Sequence, residues 1–429
     1  MYASLLQLRL QVNMRLLNTV TFQFKTFFDY SIPNYAILSH RWGNQEEEVS
    51  HKQLRKNLVP PDSPGLVKIQ NFCRLAAERG FPWAWIDTCC IDKRSSAELS
   101  QAINSMYKWY ELSAECYVYL ADVEFSVGEL SLKRQSEERF WHTPGGWSTL
   151  RDRFIKSSWF KRGWTLQELI APNKVVFYDT RWNEIGPLEQ FYRDVAQVTR
   201  IGENWLAPPH IRRSRRASIA TRMSWASRRH TSEDEDLAYC LLGLFNVNMP
   251  LMYGEGAKKA FYRLQTEIMK ISDDESLFAW TSDQGGSGLL AAQPSYFADS
   301  GDIVEETYSG GTSRPPFSMT NKGLEIALPK KHLQLSSQDG RTIRFFLRCS
   351  RAPTENAQTP GKALYVELDL MMGPKSGIRI NCATLKETST PPDKSEYLIG
   401  QLHKDLANNE RIYVFSPDSP PSGYWGTLL

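Results

Sequence analysis

The chain lacks any uninterrupted apolar run of about 18 residues, so no bilayer-crossing helix is expected. Residues 1–13 lack a secretory pattern, because Gln7, Arg9 and Gln11 interrupt any apolar stretch. Cysteine is scarce: seven residues, an odd number, are scattered along the chain without a Cys-x-x-Cys pair. That argues against a disulfide framework or a zinc site and fits a reduced cytoplasmic protein; no metal is expected. A large excess of either charge sign is missing as well, with 51 Lys and Arg against 48 Asp and Glu. A net +3 gives no strong attraction to nucleic acid or to a membrane surface. The run Arg212-Arg213-Ser214-Arg215-Arg216 has no interleaved aromatics and reads as a solvated loop. There are no internal repeats. Gly254-Glu255-Gly256-Ala257-Lys258-Lys259 has neither phosphate-loop spacing and reads as a tight helix entry.

What is present is ordinary in bulk: 429 residues, 41% apolar and 23% charged, enough for two or three globular domains. Thirteen tryptophans are many, and they concentrate in the first two thirds. Strand and helix patterns alternate from Tyr35 onward. Tyr35–Leu38, Trp83–Ile86, Cys116–Leu120 and Lys174–Tyr178 read as buried strands. Leu66–Arg79 reads as a helix stopped by Gly80, and Ser95-Ser96-Ala97-Glu98 as a capping box opening another. Glu46-Glu47-Glu48 reads as a solvated turn, residues 122–157 as an insertion or mobile loop, and 185–215 as irregular. A helix is expected from Thr231–Asp236 to about Phe245, and an amphipathic one over Gly256–Ile271.

This alternation predicts an α/β fold with a parallel sheet and flanking helices. Ligands of such sheets bind beyond the carboxyl ends of the strands, here Ser39–Gly43, Asp87–Cys90, Ala121-Asp122 and Asp179. After about Trp280, Gly-Gly and Pro-Pro pairs separate short alternating runs: Leu324–Leu328, Ile343–Leu347, Leu364–Leu370, Ile378–Ile380 and Ile412–Phe415. A smaller, mainly β accessory domain over 290–429 is expected, as an antiparallel sandwich or small barrel.

Between them lies Trp164-Thr165-Leu166-Gln167-Glu168-Leu169-Ile170-Ala171-Pro172, a short helix from near Gly163 that ends before the proline. At 100° per residue, Leu166, Leu169 and Ile170 face a core, and Glu168 shares the other face with Trp164. Two readings stand from spacing alone. Glu168 is a solvated helix glutamate beside a half-buried tryptophan, or both line a cleft.

Trp164–Leu169 resembles the central motif of the fungal heterokaryon incompatibility (HET) domain. Four further stretches match the same family in order: Tyr35–Gly43, Trp85–Asp92, Arg222-Met223-Ser224-Trp225-Ala226, and Asp236 through Gly256. The resemblance covers about residues 14–285, with an α/β core near 35–180 and a helical completion over 181–285. Met14-Arg15-Leu16-Leu17 is similar to the usual start of the family, so residues 1–13 are expected to be an N-terminal extension. HET domains in turn resemble Toll/interleukin-1 receptor (TIR) domains, whose sheet is flavodoxin-like. Their Trp-Cys-Leu-x-Glu-Leu helix carries the glutamate of the members that cleave NAD. Glu168 falls on that position, and Thr165 replaces the cysteine.

The resemblance implies a cytoplasmic fungal protein of allorecognition, whose activation leads to programmed cell death in a form of innate immunity. NAD, or a related nucleotide, enters as substrate rather than cofactor. Its nicotinamide leaves as a neutral molecule, so one carboxylate suffices where an ordinary glycoside requires two. Glu168 is then the catalytic residue, stabilising or attacking the anomeric carbon. Ser39, Arg41, Trp42, Asp87 and Trp164 are the expected substrate-binding set. Arg41 would hold the pyrophosphate, Trp42 or Trp164 would stack on a flat ring, and Asp87 would accept from a ribose hydroxyl. Each has a plain alternative: Arg41 pairs with Asp87, Trp42 plugs the core, and Ser39 caps its loop. A different class keeps the same fold: a non-enzymatic death-signalling module that forms homo-oligomers or meets an allorecognition partner.

Overall fold

The structure, a computed structural model, describes residues 13–28, 31–44, 46–135, 147–207, 215–283 and 289–305. Beyond these it describes the strands of the C-terminal region and residue 352. Contacts group the chain into two compact units, 1–213 and 214–429, a cut earlier than the compositional shift near 285.

The first unit is built on a seven-stranded sheet. Its strands are β1 (Asn13–Asn18), β2 (Phe24–Phe28), β3 (Ala36–His40), β4 (Trp83–Trp85), β5 (Glu115–Tyr119), β6 (Val175–Tyr178) and β7 (Glu184–Pro187), in the order β2-β1-β4-β3-β5-β6-β7. The four inner strands β4-β3-β5-β6 are parallel. These four are the expected strands, and numbered among themselves they run 2-1-3-4, the order of flavodoxin-like doubly wound sheets. Antiparallel strands missed by the sequence reading close both edges: β1 and β2 beside β4, and β7 beside β6. Residue 13, assigned to an extension, opens β1; residues 1–12 lie outside the described residues.

Every residue of β3 is buried, and β5 is buried except at its last position. Apolar runs without alternation are what a strand covered on both faces requires. Helix Pro64–Glu78 buries Ile69, Phe72, Cys73 and Ala76, and helix Ser96–Leu112 buries Ile103, Met106, Trp109 and Tyr110. Ser95 caps the second helix as expected, accepting from Glu98 N. The reciprocal half of the box is absent, because the Glu98 carboxylate accepts instead from Arg15, at 2.6 and 3.1 Å, and from Asp92 N.

Two loop assignments are corrected. The 122–157 segment carries helices Val127–Gln135 and Trp147–Lys156; Gly145-Gly146 lies outside the described residues. The 185–215 segment holds β7 and helix Leu188–Thr199, which buries Leu188, Phe191 and Val195. Its apolar residues recur at helical spacing, a signal hidden by Pro187, which stands at the N-cap.

In the second unit, helices Ile219–Ser224, Asp236–Tyr239 and Ala257–Ile271 precede strands β8 (Ile303–Glu305) to β16 (Arg411–Val414). The helix expected to reach Phe245 stops at Tyr239. The glycines before Ala257 have φ of 97° at Gly254 and 84° at Gly256, a conformation that favours glycine. Their N–H groups donate to Glu235 at 2.7 and 2.8 Å, which makes the expected tight helix entry. Among the described residues the β runs pair into a nine-stranded, mainly antiparallel sheet, with β14 (Ser376–Ile380) parallel to β16. Buried Glu275 accepts from Arg348 N and Nε at 2.8 and 3.1 Å, tying the segment after the Ala257–Ile271 helix to β12 (Thr342–Arg351). Among the described residues, no helix is long and apolar enough to cross a membrane.

Candidate functional site

Sequence order in the parallel strands reverses between β3 and β5, which leaves a crevice at their carboxyl ends. The side chain that β3 brings there is Ser39. It stands within the strand, fully buried, rather than in the loop where the sequence reading put it. Its hydroxyl donates to the Glu168 carboxylate and accepts from Trp159 Nε1 at 2.9 Å. Ser39 and Glu168 are 129 residues apart in the chain.

Glu168 arrives from the central helix, Thr165–Ile170. Thr165 Oγ1 donates to the carbonyls of Trp159 and Arg162, at 2.6 and 2.9 Å, and so ties this helix to the short 3-10 turn Ser158–Lys161. Asp122, just beyond β5, accepts from Ser157 Oγ and from Ser158 N and Oγ at 2.6–2.8 Å. The turn, and through it the glutamate, is therefore pinned to a strand end. The expected split of this helix into a core face and a cleft face does not hold. All six residues are buried, Glu168 being 6% exposed. Its helix packs against helix Ser96–Leu112 as well as β3, so both faces meet protein. Trp164 is half-buried at its N-cap.

A second pair lies beside the first. Trp42 Nε1 donates to Asp87 Oδ2 at 2.6 Å. Asp87 thus takes Trp42 rather than Arg41, and Trp42 is half-buried rather than a core plug. Arg41 is exposed and makes no hydrogen bond or ion pair among the described residues. His40, next to Ser39, joins the two pairs: its Nδ1 stands 3.8 Å from Asp87 Oδ1. Tyr110 is in electrostatic reach of both carboxylates. Burial first, and then the charges of Glu168 and Asp87, raise its hydroxyl well above its ordinary pKa, and it donates to Leu38 O at 3.0 Å.

Sequence reasoning missed Trp159, Tyr110, Lys68 and Glu48. Glu48 was expected to be solvated, but its carboxylate accepts from Lys68 Nζ at 2.6 and 2.7 Å and from Gly43 N at 3.0 Å. Burial opposes its charge, yet contacts with His40 and Lys68 hold the carboxyl well below its usual range. Lys68 carries the pairing geometrically, because His40 Nε2 stands 3.8 Å away, beyond hydrogen-bond reach. The Glu46-Glu47-Glu48 triplet carries no local signal of a partner 20 residues on.

His40 itself is held neutral: burial, then Lys68, lowers its pKa against the pull of Glu48 and Asp87. A base whose folded pKa lies below its unfolded value of 6.5 contributes stability that is complete above that pH. The contribution is lost as pH falls below 6.5 toward the folded value. His51, lowered by burial and by Arg15, acts in the same window. Urea unfolding across pH 4.5–8 is expected to show stability declining below about 6.5, with a shallower decline for His40→Gln, which keeps the His51 share.

Residues 35–168 match the family model described as heterokaryon incompatibility protein (HET). Vegetative incompatibility protein HET-E-1 of Podospora anserina is 43% identical over 240 residues, 56% of this chain and 16% of that protein. The match therefore spans about a sixth of that relative's length. No solved structure matches. The matched segment opens one residue before β3 and closes on Glu168, so it frames the Ser39–Glu168 pair. By these matches the chain carries a HET domain over residues 35–168.

Proposed function

We propose that the chain is a fungal heterokaryon incompatibility protein whose HET domain hydrolyses NAD at the nicotinamide–ribose bond. The observation that carries this reading is the Glu168 carboxylate, held by Ser39 at the carboxyl end of β3 where doubly wound sheets bind ligands. Water supplies the oxygen that joins the anomeric carbon, and the carbon–nitrogen bond breaks with its electron pair going to the pyridine ring. Neutral nicotinamide, ADP-ribose and one proton leave. Glu168 stabilises the oxocarbenium-like charge, which a preorganised buried carboxylate does more strongly than a solvated one. Asp87, adjoining Trp42, and Trp164 remain the proposed contacts to ribose and ring. Depletion of NAD in the cytoplasm is then the route to cell death after an unlike partner is met.

The burial of Glu168 favours a second reading, a module that signals by self-association and uses the glutamate to hold Ser39 in place. Purified protein incubated with NAD separates the two. Stoichiometric release of nicotinamide and ADP-ribose is expected. A folded, oligomer-forming protein that leaves NAD intact would give the second reading preference.

A further inference from the structure

Asp87 opens the one-turn helix Asp87–Cys90, which follows β4 after a single residue. One backbone bond closes that turn, from Cys90 N to Ile86 O at 2.8 Å. The carbonyls at its end find no partner within so short a helix. Two side chains from other segments take them. Arg15 Nη1, from β1, donates to Cys90 O at 3.1 Å. His51 Nδ1 stands 3.0 Å from Cys89 O; a carbonyl only accepts, so Nδ1 carries the proton. His51 is buried at the start of helix His51–Arg55, and its ring lies against Phe24 of β2 with centroids 4.7 Å apart. The Arg15 guanidinium also donates to Glu98, whose carboxylate accepts from Asp92 N at 2.7 Å. One side chain of β1 thus holds the chain at Cys90 and again at Glu98.

At the front of the turn, the Asp87 carboxylate makes one hydrogen bond among the described residues. Its Oδ2 accepts from Trp42 Nε1, and its buried Oδ1 has no hydrogen-bond partner among them. The place of that carboxylate is therefore set by the backbone of the turn, and the turn is gripped from behind. A guanidinium there also suits the negative end of a helix. Arg15 and Phe24 both precede residue 35, where the family match begins. The matched segment alone leaves this grip out.

We propose that Arg15, together with His51, is a positioning residue of the cleft: the β1–β2 hairpin holds the Asp87–Cys90 turn so that the Asp87 carboxylate meets Trp42 and the ligand. The effect on turnover rests on the reading of Asp87 as a ribose contact; the effect on Asp87 itself rests on the hydrogen-bond geometry alone. The plainer role for Arg15 is to fasten the hairpin through Glu98.

Full-length protein labelled with 15N-tryptophan separates the two roles. W42F and W159F identify the indole N–H signals of Trp42, bonded to Asp87, and Trp159, bonded to Ser39. R15M keeps the aliphatic stem and loses every donor. It is expected to shift the Trp42 signal upfield, as the bond to Asp87 lengthens, and to leave the Trp159 signal in place. E98Q loosens the hairpin but keeps the donor to Cys90 O, so the Trp42 signal is expected to stay. H51F removes the second grip and keeps a ring against Phe24; it is expected to act as R15M does, and carries the test where R15M does not fold. Where NAD turns over, R15M is expected to raise KM about tenfold with a smaller change in kcat. A Trp42 signal unmoved in folded R15M, or moved equally by E98Q, overturns the positioning role. So does an unmoved signal in H51F where R15M is unfolded. An R15M shift in a protein that leaves NAD intact keeps the positioning role and removes the NAD reading instead.

Discussion

Glu168→Gln is expected to abolish nicotinamide release while leaving the protein folded. The amide matches the carboxylate in shape and keeps an oxygen to accept from Ser39 Oγ, so the buried contact at the end of β3 has a substitute. What disappears is the charge, the part proposed to act on a developing oxocarbenium centre. Removing one preorganised charge-stabilising group costs on the order of 10²–10³-fold in kcat, and removing a nucleophile costs more. The measurement is single-turnover nicotinamide release, beside thermal unfolding of both proteins. Retained turnover in folded E168Q would remove Glu168 from the chemistry. Ser39→Ala provides the companion result. It leaves the charge but frees its position, so a smaller loss than that of E168Q is expected.

The largest effect on stability is expected from Trp85→Ala. Trp85 ends β4, is fully buried, and packs on Trp109 and Tyr110 with ring centroids 5.4 and 5.9 Å away. Both partners belong to helix Ser96–Leu112, so this ring fills the space between the sheet and that helix. Emptying it costs about 3–5 kcal/mol, the range for large aromatic residues cut to alanine. The site should suffer with the core, because Tyr110 reaches from this helix to the carbonyl of Leu38, beside Ser39. Urea denaturation gives the loss directly, and Trp85→Phe should recover much of it.

How much of this was legible depended on whether the signal was local. The four parallel strands announced themselves as apolar runs because both faces are covered, and the order of their helices fixed the ligand edge. The outer antiparallel strands β1, β2 and β7 did not, since their burial is mixed along the strand; β2, at the sheet edge, buries only Phe27. At the site, the residue types were readable and their pairings were not. Asp87 and Arg41 looked complementary, but the indole of Trp42 took the carboxylate. Helical phase also misplaced Glu168, because a six-residue helix wedged between a sheet and another helix has no solvent face for periodicity to report. The helix Leu188–Thr199, which follows Pro187 at its N-cap, is a further case, lying inside a stretch read as irregular.

The 2-1-3-4 order of the inner strands has a consequence for synthesis. β3 emerges first of the four yet lies between β4 and β5, and its full-length pairing is with β5, which begins at Glu115. The carboxylate that Ser39 binds is later still. A chain shorter than about the first 170 residues can close the β1–β2 hairpin, which is local, but has no glutamate to set beneath the strand ends. Long-range parallel pairing is also slow, on the millisecond-to-second scale. A nascent or truncated chain of that length therefore lacks the Ser39–Glu168 contact, which can form only once the central helix has been made.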